Sequence, residues 1–238
     1  MLRTLMAGMF LAVYLLLLGP PLILLCLLFN LPGWIYRVGL TGARGALVLA
    51  GIRVVAEGLE NVPAGACIFV GNHASNADPL AVASVIPRRL ALLGKKEVFR
   101  IPILGRALRL ANMVPVDRAD AEAAKESVEE ALEHLKRGVS FLIFPEGTRS
   151  LDGRLRPFKK GSFVMAIRAQ VPIVPVSVVG AQKIMRKGEF GIQPGIIRVK
   201  FHPPTDASAY SLDQRDELLE RVYAAVASGL PEAQQPQQ

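Results

Sequence analysis

A histidine five residues ahead of an aspartate, in Asn72-His73-Ala74-Ser75-Asn76-Ala77-Asp78, is the pair in this 238-residue chain best suited to moving a proton. A carboxylate that reaches an imidazole fixes its tautomer and stabilises its protonated form, which leaves the other ring nitrogen as a general base. Positions five apart lie about 140° from each other on a continuous helix, so the two meet only if the residues between them turn. Asp78 before Pro79 also has the form of a helix N-cap followed by proline at the first helical position. A carboxylate has two oxygens, and both readings stay open. The second cluster is Phe144-Pro145-Glu146-Gly147-Thr148-Arg149-Ser150. Glycine lets a backbone approach a ligand closely, and arginine offers a fork matched to phosphate oxygens. The plainer reading of this cluster is a tight turn with solvated charges.

Both clusters follow short apolar runs that read as strands, residues 67–70 and 139–144. Further strands are expected at 52–57, 113–116, 173–179 and 196–201. Helical spacing predicts helices over 78–86, 119–136, 160–168 and 212–227. In the second of these Val128, Ala131, Leu132 and Leu135 form the core face and Gly138 stops the helix. Strands alternating with helices give an α/β fold, a mostly parallel sheet flanked by helices. Reactive groups in such sheets gather where strands end, and both clusters lie there. The two prolines of Val171-Pro172-Ile173-Val174-Pro175-Val176 place that run on an edge or bulged strand forming a pocket wall.

About half of the residues, 51%, are apolar, and they are unevenly spread. No residue between Thr4 and Tyr36 is charged, and no acid occurs before Glu57. That run is too long for a signal peptide and lacks a small-x-small cleavage site, so it reads as a membrane anchor. Gly19-Pro20-Pro21 interrupts it. A kinked span and a re-entrant or in-plane helix pair fit the run equally well, because residues 5–18 alone reach only about 21 Å at 1.5 Å per residue. A second helix beyond Pro32 carries Trp34, Tyr36, Arg37 and Arg44, a mixture suited to lipid headgroups on the cytoplasmic side. The expected organisation is an anchor over 1–50, a catalytic domain over 51–230 and a disordered Gln/Pro tail over 231–238.

The net charge of +8 admits nucleic acid or anionic lipid as partner. Basic residues are not interleaved with aromatics, and no DNA-binding spacing occurs, so an anionic membrane is expected and nucleic acid is not. Arg88, Arg89, Lys95, Lys96, Arg100, Arg106 and Arg109 crowd one stretch. Such a run is a solvated face or, beside an anchor, a lipid-contacting one. Cys26 and Cys67 are not expected to pair. Three histidines without clustered cysteines give no metal site. His134 lies off its helix's apolar stripe and should be solvated, and His202 before two prolines should be structural. A serine-type lipid hydrolase would have to use Ser75, since no Gly-x-Ser-x-Gly occurs. A lipid carrier without catalysis would leave the His–Asp pair without a purpose.

Together and in this order, the two clusters resemble the glycerolipid acyltransferase family, over residues 52–204. The family's other two blocks stand here as Val114-Pro115-Val116-Asp117-Arg118 and Val171-Pro172-Ile173-Val174-Pro175-Val176. Gly94-Lys95-Lys96-Glu97 and Phe158-Lys159-Lys160-Gly161 resemble further recurrent elements. Ala74 departs from a frequent glutamine, and Ala111-Asn112 from a frequent glycine. The resemblance implies transfer of a fatty-acyl group from acyl-CoA or acyl carrier protein to the sn-2 hydroxyl of 1-acyl-glycerol 3-phosphate, giving phosphatidate. Glycerol 3-phosphate or another lysolipid is the alternative acceptor. It further implies that His73 is the base, held by Asp78. Arg118, Glu146, Gly147, Thr148, Arg149, Lys95 and Lys159 would then bind substrate, with Glu146 orienting Arg149, Arg118 or the acceptor hydroxyl. Transfer would be direct, without a cofactor, on the cytoplasmic face of the cell membrane.

Overall fold

The computed structural model describes residues 1–117, 120–186, 188–189 and 191–236. Two N-terminal helices, α1 (Leu2–Phe29) and α2 (Pro32–Leu49), precede the α/β domain. The domain then runs β1 (Ile52–Glu57), β2 (Ile68–Gly71), α3 (Asp78–Val85), β3 (Leu90–Lys95), α4 (Leu104–Leu110), β4 (Val114–Val116), α5 (Ala121–Lys136) and β5 (Ser140–Ile143). It closes with α6 (Gly161–Ala169), β6 (Ile173–Val179), α7 (Ala181–Ile184), β7 (Gly195–Phe201) and α8 (Arg215–Ser228).

The seven strands form one sheet in the order β1-β7-β6-β2-β5-β3-β4. Every neighbouring pair is parallel except β6 and β7. The fold is therefore the expected mostly parallel sheet with helices on both faces. Every residue of β2 and β5 is buried, as sheets covered on both faces require of their inner strands. The two-residue period of a strand sends alternate side chains to opposite faces. In β2, Phe69 joins the core shared with α2 and α3, while Ile68 and Val70 join the core shared with α5, α6 and α8. The helices answer with their own periodicity. In α8, Leu218, Val222 and Val226 recur every fourth residue and are fully buried. In α5, Ala131, Leu132 and Leu135 are buried, and Asp120 caps the helix by accepting from the Glu122 and Ala123 amides at 3.0 and 3.2 Å.

β6 is an interior strand, between β2 and β7, where its prolines suggest an edge. The reason lies in the register. Pairing with β7 begins at Val176–Phe201, just beyond Pro175, so the missing proline N–H costs only the bond at the end of the ladder, the one that would reciprocate toward His202. The Pro175 carbonyl still accepts from the His202 amide at 2.9 Å.

The helix α1 runs through Pro20 and Pro21 as one 28-residue element. Among the described residues it is the one helix long and apolar enough to cross a membrane. It packs along α2, where Gly42 and Gly45 leave room for the rings of Tyr14 and Phe10, and the Tyr14 hydroxyl donates to the Val38 carbonyl at 2.9 Å. The α/β domain also touches it. The Ile192 amide donates to Thr4 Oγ1 at 2.9 Å, and Ile103 lies against Gly19, where any Cβ would collide with it. Most of the remaining α1 surface is apolar and exposed. The first residues of the Gln/Pro tail, expected to be disordered, fold back on the domain: Gln234 is buried and its carbonyl accepts from the Leu155 amide at 2.9 Å.

Candidate active site

The sheet brings the ends of β2 and β5 side by side, and each carries one of the two polar clusters. Beyond Gly71, Asn72 acts as a peptide surrogate for β6. Its Oδ1 accepts from the Val178 amide at 2.8 Å and its Nδ2 donates to the Val178 carbonyl at 2.9 Å. The chain then turns sharply. Asp78 begins α3, but its side chain points back instead of capping that helix. Oδ2 accepts from the Ala74 and Ser75 amides at 2.8 and 2.7 Å and lies 2.9 Å from His73 Nδ1. The carboxylate that folds the turn is thus the one that orients the imidazole, and the residues between do turn as the pairing demands. Asp78 is 1% exposed, while the His73 side chain remains 12% exposed at the site. With Nδ1 held by Asp78, Nε2 is the nitrogen left for chemistry.

The loop after β5 fixes the histidine from the other side. Phe144 stacks on the imidazole with centroids 4.3 Å apart and planes 19° from parallel. Glu146 Oε1 accepts from the His73 amide at 2.8 Å, and the Ser150 amide donates to the His73 carbonyl at the same distance. Gly147, at φ 74°, turns this loop in the left-handed region that glycine adopts without strain. Burial pushes the Glu146 carboxyl up to about 8, the nearby Asp78 charge adds to this, and the His73 amide works against it.

His73, Lys95, Thr148 and Arg149 line one cavity of about 610 Å³, whose other walls include Leu92, Val98, Phe99, Leu108 and Met113. Gly147 and Lys159 line a neighbouring cavity of about 220 Å³ that shares Leu93 and Phe144 with the first. Glu146 lies behind the histidine, and Arg118 lies outside the described residues. The structure therefore gathers His73, Lys95, Thr148 and Arg149 around a single space, with Asp78 buried behind the histidine, and sets Lys159 to one side.

Residues 53–179 match the family described as Acyltransferase. That stretch is more than half of the chain and contains both clusters. The chain belongs to the acyltransferase family. It is 36% identical over 195 residues to the 1-acyl-sn-glycerol-3-phosphate acyltransferase of Limnanthes douglasii, an alignment covering 81% of this chain and 69% of that protein. Against the enzyme of the same name from Escherichia coli it is 35% identical over 155 residues, covering 65% of this chain and 62% of the relative. The crystal structure of the 1-acyl-sn-glycerophosphate acyltransferase from Thermotoga maritima is similar with a TM-score of 0.79 at 30% identity, over 96% of this chain and 95% of that one.

Within this acyltransferase, the remaining polar groups have structural occupations. Ser75 is fully buried; its hydroxyl donates to the Met185 carbonyl at 2.9 Å and accepts from the Ala77 amide at 3.1 Å. A nucleophile needs a base beside it and access to substrate, and Ser75 has neither. His202 is buried with Nε2 2.8 Å from Ser177 Oγ, which donates to the Val226 carbonyl and so ties β6 and β7 to α8. His134 is half-buried against Asn112, Nδ1 to Nδ2 3.3 Å, where a solvated position was expected. Much of the basic run is also committed inward. Arg88 bonds the carbonyls of Pro63, Ala64 and Gly65, Arg89 bonds Asn112, Lys96 pairs with Asp117, and Arg109 lies over the Phe99 ring at 5.3 Å. Arg100 and Arg106 stay exposed.

Residue type and spacing single out His73, Asp78 and Arg149 but not Asn72, Phe144 or the bonds from the second loop to the His73 main chain. An asparagine at a strand end, ahead of a turn, is the one signal that could have flagged Asn72.

Proposed function

We propose that this acyltransferase moves a fatty-acyl group from a thioester, carried by coenzyme A or by acyl carrier protein, to the sn-2 hydroxyl of 1-acyl-glycerol 3-phosphate. The observation that carries the reading is the His73–Asp78 contact of 2.9 Å at the wall of the cavity that Arg149 also lines. His73 Nε2 removes the proton of the acceptor hydroxyl as its oxygen attacks the thioester carbonyl. Asp78 stabilises the imidazolium that results. The C–S bond then breaks, and the proton passes from His73 to the departing thiolate, leaving ester and thiol. Arg149, Thr148 and Lys95 hold the acceptor phosphate, with Arg118 and Lys159 assigned to the same task. The apolar walls at Val98, Phe99 and Leu108 accept a hydrocarbon chain. The relatives' names, 1-acyl-sn-glycerol-3-phosphate acyltransferase, support lysophosphatidate as the acceptor.

Residues 1–50 form the membrane anchor and 51–230 the catalytic domain, on the cytoplasmic face. The contacts at Thr4 and Gly19 keep α1 against the domain over 15 residues, roughly 23 Å of its length at 1.5 Å per residue. They favour a helix pair lying in one leaflet over an α1 that crosses alone. The test is an assay of the purified full-length protein with palmitoyl-CoA and palmitoyl acyl carrier protein against lysophosphatidate, glycerol 3-phosphate and uncharged lysolipids. Phosphatidate as the main product is expected. A clear preference for another acceptor would replace the substrate assignment.

A further inference from the structure

Glu146 belongs to the cluster that suggests anion binding, yet its surroundings suit a different task. It is 5% exposed. Oε1 accepts from the His73 amide at 2.8 Å, and Oε2 is buried with no hydrogen-bond partner among the described residues. A buried carboxylate keeps its charge only when its oxygens are satisfied by donors or cations. Around Glu146 stand the Asp78 carboxylate, which works with burial to keep the proton on, the exposed Arg156, whose amide and guanidinium work weakly against it from beyond hydrogen-bond geometry, Tyr223 from α8 and His73 itself.

We infer that Glu146 is a positioning residue whose carboxyl locks the main chain of the catalytic histidine to the end of β5. Both hydrogen-bonding groups of the His73 peptide unit are used in this way, its amide by Glu146 and its carbonyl by the Ser150 amide at 2.8 Å. Phe144 stacks on the ring from the same loop. The histidine is thereby fixed in all three parts, which preorganises Nε2 before substrate arrives; a misplacement of about 1 Å can cost roughly 10²-fold in rate. The carboxyl's rise to about 8 agrees with an uncharged group at neutral pH. The inference rests on the reading of His73 as the base.

The experiment compares Glu146→Gln and Glu146→Ala in the full-length enzyme, with palmitoyl donor and lysophosphatidate. Glutamine keeps an oxygen for the His73 amide and lacks a charge. Its kcat should stay within about threefold of wild type, while alanine loses roughly 10²-fold in kcat with acceptor KM little changed. In wild type the folded state retains a proton that the unfolded chain has released, between the ordinary carboxylate range and about 8. Stability is therefore highest below that window and falls as pH rises through about 8. The Tm of Glu146→Gln should lack this fall, and its kcat should lack the accompanying decline above pH 8. A glutamine variant as inactive as the alanine one, or a loss confined to acceptor KM, would overturn the inference in favour of an anionic, substrate-gripping role. If alanine prevents folding, the glutamine result decides alone. Failure of the underlying reading shows elsewhere, as activity surviving in His73→Ala.

Discussion

Replacing Asp78 with asparagine separates the two tasks that one oxygen performs. Oδ2 takes the Ala74 and Ser75 amides, which shape the turn, and His73 Nδ1, which serves catalysis. Those two amides favour placing the asparagine carbonyl where Oδ2 stood, so the turn should survive. What disappears is the charge facing the imidazolium. Two unit charges at the observed 2.9 Å attract by about 5.7 kcal/mol at an effective dielectric of about 20. At about 1.4 kcal/mol per decade this is roughly 10⁴ in rate. The amide dipole returns part of it, so kcat should fall about 10³–10⁴-fold. Unfolding free energy should change by no more than about 2 kcal/mol, since the amide hydrogen bonds persist in neutral form. Steady-state kinetics and thermal unfolding of the same preparation measure both. A kcat within tenfold of wild type would show that Asp78 is only the staple of its turn.

Arg149→Lys should lower acceptor kcat/KM about 10–100-fold, the worth of a charge-assisted bidentate contact, and leave the donor KM nearly unchanged; an equal loss with a phosphate-free acceptor alcohol would contradict phosphate recognition. Removing residues 1–29 should leave membrane binding that weakens with salt, because exposed charges are screened. Membrane retention of that truncated protein in molar salt would move the anchor to α2. Mixed with labelled donor alone, the enzyme should release no stoichiometric burst of thiol and carry no label after denaturation, since Ser75 is buried and occupied and direct transfer needs the acceptor. An acyl ester on Ser75 that forms and discharges at the turnover rate would refute direct transfer.

The parts of the fold that hydrophobic period controls were legible in the sequence. Strands ending at both clusters, the core face of α5 and the periodic α8 follow from spacing alone. Proline was the poorest guide. Pro175 looks like an edge marker because a missing donor breaks a ladder, but it falls beside the end of β7, where only one terminal bond is lost. Pro20 and Pro21 look like breaks in α1, yet the helix passes through them. At the site, residue type and spacing named His73, Asp78 and Arg149. They could not show which way a side chain turns. Asp78 reads equally as a helix cap until its carboxylate is seen facing backwards. Glu146 reads as a partner for arginine until its oxygen is found on the His73 amide, a contact across 73 residues that only the pairing of β2 with β5 creates.

The central claim is that His73 removes the acceptor's proton, and the turnover number of His73→Ala tests it most directly. The variant should fold and bind vesicles as wild type does, because Nδ1 makes one contact and the main chain keeps both of its own. Its kcat with lysophosphatidate should fall by about 10²–10⁴-fold, the range for loss of a general base. Retention of more than a tenth of the wild-type kcat would contradict the account.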